Sequence, residues 1–275
     1  MKKDTIINQN KYALITGATG GLGKSFCKKL AEQGYNLILT GTQDTKLKSL
    51  KQTLEKEYSN LDILYCACDL SNHDSRLSLI NFLNAQNCAI SLFVSNAGYI
   101  TEGSIENSAI DTIIKCIQVN CEGTIHLTKE IIDRRDKSQT LHIISVTSMA
   151  ANYPMPYMAI YASTKSLLKN FMISLRHEYK NENIKILIVE PGAIATSEEM
   201  KNAIEAQGFK GKLSCVPPDT IAEKSIKKSL KNKDRYVPGF FNRMTLLLSS
   251  FAPSKLKTRA IGKMWKKSQN KRNIK

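Results

Sequence analysis

Metal-ligand spacings are missing from this chain. Its seven cysteines (Cys27, Cys66, Cys68, Cys88, Cys116, Cys121 and Cys215) are odd in number and contain no CxxC pair, and only His73, His126, His142 and His177 could join them. That inventory argues against a zinc framework or a disulfide scaffold. Reduced thiols acting as small hydrophobes are expected, and no metal. No apolar run reaches the roughly 18 residues of a membrane-spanning helix. Met1–Asn10 is short and polar without an apolar signal region, so a cytoplasmic location is the expectation. Acidic residues are nearly absent from one part only. Residues 224–275 hold 16 Lys and Arg against Asp234 alone, a balance of +15, whereas residues 1–223 hold 24 basic and 23 acidic residues, a balance of +1. A neutral body with a basic end points to an acidic partner or surface for that end.

The 275 residues are 42% hydrophobic, enough for a substantial core. Short apolar runs at Tyr12–Thr16, Asn36–Thr40, Ile63–Ala67, Leu92–Ser95, His142–Ser145 and Lys185–Glu190 read as strands covered on both faces, since they lack in–out alternation. Amphipathic stretches at Leu22–Gln33, Lys46–Tyr58, Ser71–Asn84, Ser108–Asp133 and Met158–Lys180 separate them. The alternation predicts an α/β fold, a Rossmann-like doubly wound parallel sheet with helices on both faces, plus C-terminal amphipathic helices. Residues 1–239 read as one such domain, and residues 240–275 as a basic extension packing on it or on a surface. Residues 193–217, polar and closing on Pro217-Pro218, suit a substrate-covering loop at the carboxyl edge of the sheet. Asp219 is placed to cap a helix running to about Leu230, and Arg235–Val237 is a candidate seventh strand.

Between the first strand and first helix lies Thr16-Gly17-Ala18-Thr19-Gly20-Gly21-Leu22-Gly23. Gly17 suits the tight turn, Gly21 a close backbone approach to a pyrophosphate, and Gly23 close helix–strand packing; the helix N-terminus supplies free N–H groups. A glycine turn without ligand is the plainer reading. The second strand ends Thr40-Gly41-Thr42-Gln43 without the acid that would take a ribose 2′-hydroxyl, which favours NADP(H) over NAD(H), with Lys24, Lys46 and Lys48 as candidate cations. Asp69, after the third strand, could accept from an adenine amino group or cap the following helix. Asn96-Ala97-Gly98, after the fourth strand, is small enough for a ribose and nicotinamide to lie along the sheet edge.

Tyr161 and Lys165 stand four apart on a predicted helix and share a face. A phenol is a poor base near neutrality, and a nearby ammonium would lower its pKa. Ser148, after the fifth strand, could hydrogen-bond a substrate carbonyl oxygen as charge develops. A Tyr-x-x-x-Lys pair alone occurs by chance on many helices. With the glycine run, Asp69, Asn96-Ala97-Gly98, Asn120, Ser148, Pro191-Gly192 and Thr196, the chain resembles the short-chain dehydrogenase/reductase family over roughly residues 10–240. Ser95 and Thr147 stand where that family usually has Asn and Ser, and Thr42 where NADP-using relatives often have Arg.

The resemblance implies a ketone–alcohol oxidoreductase. Tyr161 would be the general acid or base, Ser148 would polarise the carbonyl, and Lys165 would bind the nicotinamide ribose and depress the tyrosine pKa. Asn120 would hold a water of a proton relay. Cofactor contacts are implied at Gly17, Thr19, Gly20, Gly21, Leu22, Gly23, Thr42, Asp69, Leu70, Asn96, Ala97, Gly98, Tyr161, Lys165, Pro191, Gly192, Ile194 and Thr196. It also implies a homodimer or homotetramer. A hydrophobic carbonyl (fatty-acyl, 3-oxoacyl or steroid-like) is the expected substrate, and a non-catalytic NADP(H)-sensing protein is the rival reading.

In the extension, Phe240, Phe241, Met244, Leu247, Leu248 and Phe251 recur at helical spacing. After Pro253, Leu256, Ile261, Met264 and Trp265 are interleaved with Lys255, Lys257, Arg259, Lys263, Lys266 and Lys267. Such a helix could lie on an anionic membrane or dock an acidic acyl carrier. It could equally pack its apolar face on the pocket or a subunit interface. Nucleic acid is the weaker fit, since charge alone attracts it without specificity.

Overall fold

The computed structural model describes residues 11–86, 88–196, 202, 204–205 and 209–273. Seven parallel strands form one sheet: β1 (Lys11–Thr16), β2 (Asn36–Gly41), β3 (Ile63–Ala67), β4 (Ala89–Ser95), β5 (Leu141–Val146), β6 (Ile184–Val189) and β7 (Arg235–Tyr236). Their order is β3-β2-β1-β4-β5-β6-β7. The chain winds outward from β1 to β3, crosses back to pair β4 with β1, then continues to the other edge. The switch of direction between β1 and β4 opens a crevice at their carboxyl ends, where ligands of such sheets bind. The strands read as unbroken apolar runs because both faces are covered. One core centres on Phe26, Leu30, Leu37, Leu47 and Ile221, the other on Leu14, Phe93, Leu127, Ile131 and Met172.

The helices are α1 (Gly21–Ala31), α2 (Asp44–Glu57), α3 (His73–Ala85), α4 (Ile110–Ile117), α5 (Thr124–Asp133), α6 (Ala159–Glu178), α7 (Phe209–Ser214), α8 (Pro218–Leu230), α9 (Phe240–Ser250) and α10 (Ser254–Asn273). The single helix expected over 108–133 begins at Ile110 and is interrupted by a π turn, Gln118–Gly123. Gly123 lies against Leu70, where a Cβ would stand 2.4 Å from the Leu70 carbonyl oxygen, so the backbones meet at the irregular turn. Asp219 does not cap α8. Pro217 occupies the N-cap position, and the Asp219 carboxylate instead accepts from the Ser25 hydroxyl of α1. Nor does Asp69 cap α3: the Asn72 side chain accepts from Ser75 N at 2.8 Å.

The proposed substrate loop, 193–217, falls partly outside the described residues; Ala193–Thr196 and α7 are within them. Helix α9 packs near α7 and the 3-10 turn Met149–Asn152. Trp265 is buried (7% exposed), so it does not lie on the outer face with the lysines. Gly262, one turn before it, abuts Pro156. Phe240, Leu247, Leu248, Phe251 and Leu256 are exposed, whereas Phe241 and Met244 are half-covered. Among the described residues no helix is long and apolar enough to cross a membrane.

Candidate active site

A cleft of about 320 Å³ opens at the carboxyl ends of the central strands. It gathers Gly17, Gly20, Gly21, Leu22 and Gly23 with Asn96, Ala97, Gly98, Ser148, Tyr161, Lys165, Pro191, Gly192, Ile194 and Thr196. Residues spread over 180 positions of sequence thus meet because the connections that follow β1, β4, β5 and β6 all leave the sheet there.

The glycine turn is built by steric exclusion. Gly17 has φ of +62°, a conformation costly for other residues. A Cβ on Gly23 would lie 2.0 Å from the Gly17 carbonyl oxygen, so only glycine lets α1 start this close to the turn. Asn96 braces it: Nδ2 donates to Thr16 O at 3.0 Å and Gly17 O at 3.3 Å, while Asn96 N and Ala97 N both donate to Thr16 Oγ1 at 3.0 Å. Helix α1 has no side-chain cap and no acid in its first turn, leaving its N–H groups free for an anion. These features fit a dinucleotide pyrophosphate. Over Gly21, however, the protein itself fills the space: a Cβ there would meet Thr196 Cβ and Cγ2 at 2.7 Å.

Ser148 is the N-cap of the turn Met149–Asn152, and its Oγ accepts from Ala150 N at 3.1 Å. Its own hydroxyl proton is left to donate on the cleft side, where it bonds Tyr161. Lys165 is buried and donates to Val146 O at 3.1 Å; its Nζ stands 5.9 Å from the Tyr161 ring centre. The expected depression of the tyrosine pKa is not present in the protein alone. Burial pushes Tyr161 up to about 12, against a lowering by the Ser148 hydrogen bond, and the same burial pulls Lys165 down to about 8. Each charged form loses its water on burial, and that cost is the largest cause of both shifts. Burial thus favours the protonated phenol of Tyr161.

Asn120 lies in the π turn, fully buried. Its Oδ1 accepts from Tyr99 N at 2.7 Å, and its Nδ2 reaches Tyr99 O at 2.9 Å and Thr164 Oγ1 at 3.0 Å. It meets Lys165 at Gly98, where a Cβ would lie 3.3 Å from Lys165 Nζ and 3.5 Å from Asn120 Oδ1. Asp69 accepts from Ser71 N at 2.9 Å and Ser71 Oγ at 2.6 Å, and Lys115 stands 3.6 Å from its other oxygen. Burial would raise its pKa, but these hydrogen bonds and Lys115 prevail and lower it.

Residues 11–207 match the family model for short chain dehydrogenases. This chain belongs to the short-chain dehydrogenase family. It is an oxidoreductase acting on CH–OH and C=O groups with NAD(P). A dehydrogenase/reductase SDR family protein 7-like from Drosophila melanogaster is 28% identical over 89% of this chain and 77% of its own length. An NADP-dependent 3-hydroxy acid dehydrogenase, YdfG, of Escherichia coli strain K12 is 26% identical over 76% of this chain and 82% of its own. In fold, the chain matches a 7beta-hydroxysteroid dehydrogenase with a TM-score of 0.80 at 19% identity, covering 92% of this chain and 96% of that one. It also matches a short-chain dehydrogenase of Sphingobium yanoikuyae in complex with NADPH, with a TM-score of 0.73 at 20% identity, covering 88% and 96%.

Within this short-chain dehydrogenase, Thr19, Thr42, Asp69, Leu70 and Asn120 do not line the cleft. Leu70 has its side chain in the core, and its carbonyl accepts from Arg76 at 2.6 Å. Thr42 is exposed just past β2, and Lys24 of α1 and Lys46 and Lys48 of α2 are exposed as well. A carboxylate passed over in the sequence, Asp44, opens α2 two residues after Thr42. Ile100, Val146 and Thr147 line the cleft without having been anticipated. Gly192 is packed beneath Asn242 and Ser214: a Cβ there would stand 2.4 Å from Ser214 Oγ and 2.8 Å from Asn242 Nδ2. Asn242 is buried and donates to Ser214 O at 2.9 Å and Pro238 O at 2.7 Å. All seven cysteines are free. Among the described residues no group of three or more His, Cys, Asp or Glu could hold a metal ion.

Proposed function

We propose that this enzyme reduces a hydrophobic ketone to a secondary alcohol with NADPH. The observation that carries the reading is the meeting of Ser148, Tyr161 and Lys165 with the glycine turn in one cleft. When bound, the cofactor supplies the hydride for the carbonyl carbon. Ser148 donates a hydrogen bond to the carbonyl oxygen, and Tyr161, held protonated by burial, gives that oxygen its proton. Lys165 in its ammonium form then offsets the charge left on the phenol, and Asn120, beside it at Gly98, would hold a relay water.

NADP(H) is favoured because the tip of β2 carries no acid and the exposed Lys24, Lys46 and Lys48 are candidate cations for a 2′-phosphate, although Asp44 opens α2 two residues after Thr42. The NADP-dependent relative from E. coli supports the same preference. Ile100 in the cleft suits an apolar substrate, of fatty-acyl, 3-oxoacyl or steroid-like type. A non-catalytic NADP(H) sensor is the competing reading. The exposed Ile110, Ile114 and Ile117 of α4, at helical spacing, with Leu167 and Ile173 of α6, suit burial against a second copy in a dimer or tetramer. The extension 240–275 is proposed to associate peripherally with anionic lipid, on the strength of the exposed Phe240, Leu247, Leu248, Phe251 and Leu256 beside its cations; an acidic acyl carrier is the other acidic partner that would suit it.

The test is oxidation of NADPH and NADH against 3-oxoacyl thioesters, steroid ketones and small diketones. Turnover that is lost in Tyr161→Phe is expected, faster with NADPH. Near wild-type turnover in Tyr161→Phe would overturn the mechanism, and higher efficiency with NADH the cofactor assignment. Tight NADPH binding with no turnover on any member would favour the sensor.

A further inference from the structure

A polar network built around one buried carboxylate lies behind Ser148, and none of its members lines the cleft. Glu190, the residue before Pro191-Gly192, has a fully buried side chain. It is held by Arg235 of β7, which donates through Nε to Oε1 and through Nη2 to Oε2 at 3.0 Å. Lys169, one turn beyond Lys165 on α6, donates to Oε2 at 3.3 Å. Asn152 ties the four together. Its Oδ1 accepts from Lys169 at 2.6 Å and Arg235 at 3.2 Å, while its Nδ2 donates to Glu190 Oε2 at 2.6 Å and Met149 O at 3.1 Å.

Met149–Asn152 is the turn that Ser148 caps, so the Asn152 bond to Met149 O clamps the first residue after the serine. The backbone on either side is fixed to the same strand end. Thr147 N donates to Val189 O at 2.8 Å, and Met149 N to Pro191 O at 2.9 Å. Ser148 thus hangs between two backbone anchors that flank Glu190, and the carboxylate with Asn152 closes the third side. A buried carboxylate with two cations and an amide is stable only when every partner is in place.

We propose that Asn152, carried by Glu190, is a positioning residue that sets the place of the Ser148 hydroxyl relative to Tyr161 and the Pro191-Gly192 backbone. The inference rests on the reductase reading above. Asn152 touches no reacting atom; it acts through Ser148.

A double-mutant cycle on kcat tests it, with melting temperature and NADPH affinity followed in parallel. Asn152→Ala is expected to lower kcat about tenfold in the wild-type background, with NADPH affinity changed less than about threefold. In a Ser148→Ala background the same substitution should cost no further kcat while lowering the melting temperature as before. An equal loss of kcat in both backgrounds, or a lower melting temperature with unchanged kcat, would overturn the proposal. Lys169→Met, which removes one of the two cationic donors to Asn152 Oδ1, should give a smaller loss with the same dependence on Ser148, and it decides the matter if Asn152→Ala does not fold. Absence of wild-type turnover on every carbonyl would overturn the reductase reading and this inference with it; turnover without the coupling would overturn this inference alone.

Discussion

Lys165 is the residue on which the physical chemistry of the site turns. Its pKa falls from 10.5 to about 8 because burial strips the ammonium of water. A lysine depressed by folding penalises the folded state wherever the free side chain is charged. The penalty is full below about pH 8, shrinks between 8 and 10.5, and is gone above that. Lys165→Met should therefore stabilise the protein near neutrality, by at most about 3 kcal/mol, less the lost bond to Val146 O, and the gain should vanish toward pH 10.5. Denaturant unfolding at the two pH values measures this, while carbonyl reduction by the variant should fall by about a hundredfold or more. In the unaltered enzyme, kcat/KM for reduction should decline as pH rises through about 8, since that parameter reports the free enzyme and Lys165 then loses its charge. A flat profile to pH 9 or so would remove Lys165 as the titrating group. From the sequence, the face shared by Tyr161 and Lys165 was legible and the direction of their pKa shifts was not. Spacing tells which residues neighbour one another; desolvation depends on everything else around them.

Among the elements, the glycine turn and the last two helices respond differently to change. Gly23→Ala would place a Cβ 2.0 Å from Gly17 O and must push α1 off the turn. The expected outcome is loss of measurable NADPH binding by fluorescence titration, together with a fall in melting temperature. Asn242→Ala leaves Pro238 O and Ser214 O without their donor beneath Gly192, which should cost about 1–3 kcal/mol in denaturant unfolding. The turn was readable because its steric demand falls on neighbours in sequence. The role of Asn242 was not, since it sits on a helix whose apolar spacing alone drew attention. The π turn at Gln118–Gly123 was likewise hidden: the apolar pattern of 108–133 suits a regular helix, and the contact of Gly123 with Leu70 lies 53 residues away in sequence.

As a whole molecule, the protein pairs a neutral α/β body with a basic end that leaves Phe240 (71%) and Phe251 (81%) exposed. If the proposed peripheral association holds, the intact protein should float with vesicles containing anionic lipid at low salt and be released as ionic strength rises. Phe251→Glu should abolish flotation with carbonyl reduction retained. A protein that stays in solution with such vesicles at low salt would remove the membrane proposal, and a size change in Phe251→Glu without vesicles would point to a second copy as the occupant.

The sequence by itself determined the alternation of strands and helices, the glycine turn, the pairing of Tyr161 with Lys165 and the charge imbalance between body and tail. Each is a local property, set by the period of a helix, the size of a side chain or a count of charges. Only the tertiary structure decided which of the named residues share the cleft, that Trp265 turns inward, that Asp69 bonds Ser71 and leaves the cap to Asn72, and that Asn152, Lys169, Glu190 and Arg235 close behind Ser148. Those outcomes depend on partners as distant in sequence as Gly21 and Thr196, brought together by the order of the strands, and on burial, which no local pattern encodes.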